Sequence, residues 1–154
     1  MTASPRATEL ALAAAQAAAD KIAQDILILD VSERLTITDC FVIASAENER
    51  QVKAAVDEIE EKLRAMGAKP LRREGEREGR WVLLDFADIV VHVLRAEERV
   101  YYSLERLWKD CPVIPFEDAS VGAGVAAVAA GGVAAAGGTA GTGGAAGAGT
   151  AEPR

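Results

Sequence analysis

RWVLLDFADIVVHVLRAEERVYYSLERLW, residues 80–108, is the stretch that decides the fold of this chain. It reads as two adjacent strands, RWVLLDF and IVVHVLR, joined by a tight turn at Ala87-Asp88 and followed by a helix. A two-residue turn sets the register. Phe86 then faces Ile89, Leu84 faces Val91, and Val82 faces Val93, an apolar face that belongs to a core. The opposite face pairs Asp85 with Val90, Leu83 with His92, and Trp81 with Leu94, mixing an indole, an imidazole and a carboxylate with aliphatics. Side chains alternate across a strand, so the faces exchange members only by a register slip. The mixed face has two readings. It is a partner-binding sheet surface, or a helix covers it and Trp81 is ordinary core, since Trp serves both uses.

Working outward, residues 97–108 predict one helix, with Val100, Leu104 and Leu107 on a stripe and Tyr101 and Trp108 beside it; Pro112 and Pro115 stop it. Upstream, KPLRREGEREGR at 69–80 is a polar connection, with a short edge strand at 71–74. Asn48 and Gln51 have capping-box spacing, opening a helix that runs to Met66 with Gly67 as its C-terminal cap. Val52, Val56, Ile59, Leu63 and Met66 give it one apolar face. Strands are expected at 25–31 and 40–46, linked by an exposed connection at 32–38, and an alanine-rich helix at 5–24 with Pro5 in its first turn. Helices alternating with apolar strands give an α/β (α+β) class: a mixed β-sheet flanked by helices.

Residues 120–154 are a different material. They hold 11 of the 14 glycines and 13 alanines, no aromatic residue, and only Glu152 and Arg154 as charges. Such a segment buries too little apolar surface to offset its chain entropy and is expected to be a disordered tail. Residues 1–119 are then one domain. The formal charge of −7 belongs to that domain, since the tail's two charges cancel. An acidic domain is poorly suited to gripping nucleic acid and better suited to a basic protein surface. Cys40 and Cys111 have no metal-site or CxxC spacing, no secretory leader is visible, and no stretch reaches membrane-spanning length, so a cytoplasmic protein with free thiols is expected.

A search for chemistry finds little. One histidine and two distant cysteines make no zinc set. Phosphate-loop and nucleophile-elbow motifs are absent. Candidate acids are Asp25, Asp30, Asp39, Asp85 and Asp88. Asp30 and Asp39 end and precede strands, where they cap turns or form a metal-binding pair, with capping the commoner use of Asp. His92 lacks a neighbouring nucleophile, although Asp85 lies diagonally from it. No catalytic residue, metal or cofactor is expected.

The segments DILILDVSERLTITDCFVIASAENERQV, REG at 73–75, and GRWVLLDFADIVVHVLRAEERVYYSLERLW together resemble the ribosomal silencing factors, or Iojap-like family, over about residues 8–116. Departures are mild: Cys40 stands where an aromatic is common, Phe86 is one of several bulky residues seen there, and the Gly/Ala tail lies outside the pattern. The resemblance implies a nucleotidyltransferase-like fold without catalytic residues and no enzyme activity. It implies binding to large-subunit ribosomal protein fourteen, which occludes the surface the small subunit needs and damps translation when nutrients are scarce. Organellar relatives are linked to large-subunit assembly. The implied contact residues are Trp81, Leu83, Asp85, Phe86 and the turn beyond at Asp88; Val90 and His92 join them from the mixed face. Phe86 is the exception, since the register puts it on the core face. Two other readings are a vestigial nucleotidyltransferase and a homodimer paired through the Trp81 face.

Overall fold

The protein is described by a computed structural model covering residues 2–119. The Gly/Ala-rich tail expected at 120–154 lies outside the described residues. Five strands, β1 (Gln24–Asp30), β2 (Cys40–Ala46), β3 (Arg72–Glu74), β4 (Trp81–Asp85) and β5 (Ile89–Arg95), form one sheet in the order β1-β2-β5-β4-β3. β2 and β5 run parallel; the other neighbours are antiparallel. The sheet is therefore mixed, as the alternation of helices and strands predicts. The hairpin has the expected register: Trp81 opposite Leu94, Leu83 opposite His92, Asp85 opposite Val90. At the turn the Phe86 N–H donates to the Ile89 carbonyl at 2.9 Å, and Ala87 takes a left-handed φ of 74°. The Asp85 carboxylate accepts from the Ala87 N–H at 2.9 Å and holds that turn.

Two helices, α1 (Pro5–Asp20) and α2 (Glu49–Ala65), pack on the face carrying Val42, Ala44, Val82, Leu84, Val91 and Val93. Ser4 caps α1 ahead of Pro5, and alanines at 7, 11, 14, 15, 17 and 18 let its backbone approach the sheet. Asn48 caps α2 through the Gln51 N–H at 2.8 Å, while Gln51 returns a bond to the Glu47 N–H. Both helices end the same way. In α2 the Ala68 N–H reaches the Leu63 carbonyl and Gly67 the Arg64 carbonyl, with Gly67 at φ 88°. In α1 Ala23 reaches Ala18 and Ile22 reaches Ala19, with Ile22 in the glycine position at φ 69°. The helix expected over 5–24 thus stops at Asp20, closed by a motif whose usual glycine is missing.

The single helix expected at 97–108 is two pieces, α3 (Ala96–Tyr102) and α4 (Leu104–Leu107), broken at Ser103 with φ 48°. The predicted apolar stripe is not the buried one: Val100 and Leu107 are exposed, and Leu104 is only partly covered. The residue of α3 that faces the sheet is Arg99, 8% exposed. Its guanidinium donates to Ser45 Oγ at 2.9 Å and to both Glu105 oxygens at 3.2 Å. In an unbroken helix, residues six apart point about 240° apart around the axis. The break at Ser103 brings Glu105 back to Arg99. The connection at 32–38 also departs from full exposure, since Ser32 and Thr38 are buried.

Both sheet edges are managed. β3 is three residues long and charged, which discourages pairing with another chain. Along β1, Asp30 N–H donates to the Pro112 carbonyl and Ile114 N–H to the Ile28 carbonyl, so residues 112–114 cover that edge. Gly75, between β3 and β4, has φ 83°, and a Cβ there would sit 2.0 Å from the Trp81 carbonyl oxygen. The glycine of the REG segment is thus required by the approach of the next strand.

Two substitutions test these backbone assignments. Ile22→Gly should raise stability by ~1 kcal/mol, because an exposed β-branched residue leaves the left-handed region. Gly75→Ala should lower it by about 1–3 kcal/mol from backbone strain alone, with the clash in addition. Urea melts measure both; an unchanged Gly75→Ala midpoint would contradict the close approach.

Candidate functional site

The second face of the sheet carries Leu27 and Leu29 from β1, Phe41, Ile43 and Ser45 from β2, Val90, His92 and Leu94 from β5, and Trp81, Leu83 and Asp85 from β4. Over β2 and β5 it is closed, and on β1 Leu29 is buried while Leu27 is only partly so. Leu29, Val31, Phe41, Ile43, Val90, Leu94 and Cys111 form a buried cluster, with Leu35, Leu104 and Trp108 packed against it. Phe41 meets Trp108 edge-on, centroids 5.1 Å apart, and Arg34 lies over the outer Trp108 face at 5.8 Å. Over β4 the cover thins. Trp81, Leu83 and Asp85 are all only partly buried. Tyr102 leans on the Trp81 ring at 4.9 Å, and Tyr101 meets Tyr102 edge-on at 4.9 Å while 81% exposed. The face is divided, with a covered core on one half and a half-open aromatic surface on the other.

The seven residues singled out from sequence divide accordingly. Trp81, Leu83 and Asp85 lie together on the half-open side, and Asp88 is exposed at the turn. Val90 and His92 belong to the same face but are buried, 9% and 6% exposed. Phe86 is 5% exposed on the α1/α2 side, where its register puts it. The left-handed Ala87 after it does not bring it out to the other face. Asp85 is also engaged locally, through the Ala87 N–H and through Arg72 at 3.6 Å. Tyr101, Tyr102 and Arg99 were missed. The aromatic pair was visible in YYSLERLW, but a continuous helical reading gave it no strand to lean on.

His92 is buried and engaged. Its Nδ1 accepts a hydrogen bond from Trp81 Nε1 at 3.2 Å, and Phe41 stands edge-on to its ring at 5.0 Å. Burial, reinforced by the positive charge of Arg99, lowers its pKa to about 4. Asp30 and Asp39 do not pair around a metal. Asp30 accepts from the Ser32 N–H, the Ser32 hydroxyl and the Ala3 N–H; Asp39 accepts from the Ser4 N–H. Burial raises the Asp30 pKa, but those hydrogen bonds outweigh it and the net shift is downward. Among the described residues, no three His, Cys, Asp or Glu side chains gather to hold a metal ion. Cys40 and Cys111 are free and buried, and burial pushes the Cys40 thiol up to about 12, with Asp30 and Asp39 adding to the effect. No helix among the described residues is long and apolar enough to cross a membrane.

The family described as ribosomal silencing factor during starvation matches residues 4–135 of this chain. The chain belongs to that family. The match runs past residue 119 into the Gly/Ala-rich segment that the sequence resemblance left outside. The ribosomal silencing factor of Bacillus subtilis is 43% identical over 100 residues, covering 65% of this chain and 85% of that protein. The crystal structure of a Chromobacterium violaceum protein superposes with a TM-score of 0.64 at 34% identity, covering 76% of this chain and 94% of that one. A more distant relative, from Mus musculus, is named mitochondrial assembly of ribosomal large subunit protein 1; it is 32% identical over 89 residues, 56% of this chain and 39% of that protein.

The His92 environment sets a pH dependence for this family member. A folded-state pKa below the unfolded value means that acid favours the unfolded chain. Stability from this group is intact above about pH 6.5 and falls as pH drops toward about 4, by roughly 3 kcal/mol in all. Asp30, whose pKa is depressed below 3.8, acts at lower pH. His92→Leu should flatten the stability profile between pH 6.5 and 4, as followed by urea melts; an unchanged slope would show that other groups set it.

Proposed function

We propose that this protein binds the large ribosomal subunit through ribosomal protein fourteen and blocks joining of the small subunit, repressing translation when nutrients are limiting. The observation that carries this reading is the half-open aromatic surface, where Trp81 and Leu83 pack against the buried cluster but stay partly uncovered, while the same face is buried over β2 and β5. A large aromatic flanked by aliphatics and a polar rim is the anatomy of an interface anchor. The net charge of −7 favours encounter with a basic ribosomal protein over a bare RNA surface. Repression of this kind needs no chemical step. A bound factor at the joint surface excludes the other subunit by mass action. The expected location is the cytoplasm, where ribosomes joined and separate are available to it. A homodimer paired through the same face would compete with ribosome binding.

A second reading, participation in large-subunit assembly, is favoured by the name of the mouse relative. It uses the same surface and partner. The readings differ in whether loss of the protein depletes mature large subunits or only raises the joined fraction.

Trp81→Ala should weaken binding to large subunits by about thirtyfold, corresponding to ~2 kcal/mol, with the domain still folded. Leu84→Ala, on the sealed α1/α2 face, should instead cost about 2–5 kcal/mol of stability. Co-sedimentation with large subunits, gradient profiles of subunit joining and circular dichroism melts read these out. A folded Trp81→Ala protein that still blocks joining would place the interface elsewhere. Binding should also weaken as salt rises, since screening acts over about 8 Å at physiological ionic strength.

A further inference from the structure

His92 sits where an aliphatic residue would pack. Val90 and Leu94 lie on either side of it on the same face of β5, Leu83 stands opposite on β4 and Ile43 opposite on β2. An imidazole there carries a cost. Its Nδ1 accepts the Trp81 indole N–H, so in the neutral ring the proton is on Nε2. Among the described residues Nε2 has no hydrogen-bond partner, and it is closed off by the surrounding side chains. A buried donor without a partner weighs against the fold. What the hydrogen bond adds is one orientation of the indole. Nδ1 holds its N–H edge, Tyr102 supports the ring at 4.9 Å, and Phe41 holds the imidazole edge-on at 5.0 Å.

We infer that His92 is a positioning residue, which locks the Trp81 indole in the orientation used to anchor the partner. This rests on the reading of Trp81 as part of the ribosome-binding surface and extends it to a residue buried beneath that surface. A side chain ordered before binding loses less freedom on binding, and the difference appears as affinity. His92 acts only through Trp81, so its effect disappears when Trp81 is gone. Asparagine is the conservative stand-in, because its Oδ1 occupies the place of Nδ1 and accepts the same bond.

The test uses the full chain with four variants: His92→Leu, His92→Asn, Trp81→Phe and Trp81→Ala. Affinity is read by co-sedimentation with purified large subunits, and the hydrogen bond by the indole N–H resonance of Trp81 in ¹⁵N NMR, assigned by its absence in Trp81→Phe. His92→Leu should lose about three- to tenfold in affinity, the scale of one immobilised side chain, and its indole N–H should exchange faster with solvent. His92→Asn should recover most of the affinity and the slow exchange. Trp81→Phe keeps a ring, removes the N–H and leaves the buried position untouched; it should lose a similar factor and serves as the deciding variant if His92→Leu does not fold. His92→Leu added to Trp81→Ala should cost nothing further. If Trp81→Ala abolishes binding while His92→Leu and Trp81→Phe bind as the parent does, the positioning role is overturned and the surface stands. If Trp81→Ala itself binds normally, the surface assignment fails and the positioning role falls with it.

Discussion

β5 is the constraint on which the rest depends. Every residue from Ile89 to Leu94 is buried, so the strand needs a layer of protein on each face and a neighbour on each edge. Its edges are met by β2 in parallel and β4 in antiparallel. One face is met by α1 and α2, whose small and aliphatic side chains seal it. The other face has no long helix. It is covered by α3, α4 and the chain that follows, which together reach across β2 but thin out over β4. The partly open aromatic surface is what remains of a requirement for cover that short elements meet incompletely.

The polar groups on that second face are arranged so that each limits another. Arg99 is buried, paired with Glu105 and bonded to Ser45. A buried guanidinium without Glu105 would be costly, so the elbow at Ser103 that brings them together is tied to the sheet. Burial keeps the His92 imidazole neutral and able to accept from Trp81, and the same positive charge on Arg99 adds to that effect. The half-exposed indole is in this way coupled to a break in a helix well away from it in sequence.

Much of this was legible in the residues. The hairpin register followed from strict alternation either side of a two-residue turn, and both are local properties. The α2 boundaries followed from Asn48, Gln51 and Gly67, which act within one helical turn. The end of α1 was not legible, because Ile22 takes a conformation that sequence reading assigns to glycine. The break at Ser103 accompanies tertiary contacts of Arg99, one of them to Ser45 far earlier in the chain, so YYSLERLW looks helical throughout when read alone. The division of the mixed face into a sealed and an open half was also beyond local reading. It is decided by how far Trp108 and Leu104 reach over β2, a matter of tertiary packing. Phe86 shows the converse: the alternation put it on the core side, and there it lies.

The order β1-β2-β5-β4-β3 also has a consequence during synthesis. β1 and β2 are the first strands to be made, but the central partner of β2 is the last. At translation speeds of about 5–20 residues per second, the β2 edge waits on the order of seconds for β5 to emerge. The β1 edge waits longer still, until residues 112–114 arrive to cover it. The sheet therefore cannot be completed until nearly the whole domain has left the exit tunnel, and until then neither outer edge of the β1–β2 segment has its native neighbour. High contact order of this kind slows folding and lengthens the exposure of β2, whose seven residues are all destined for the interior.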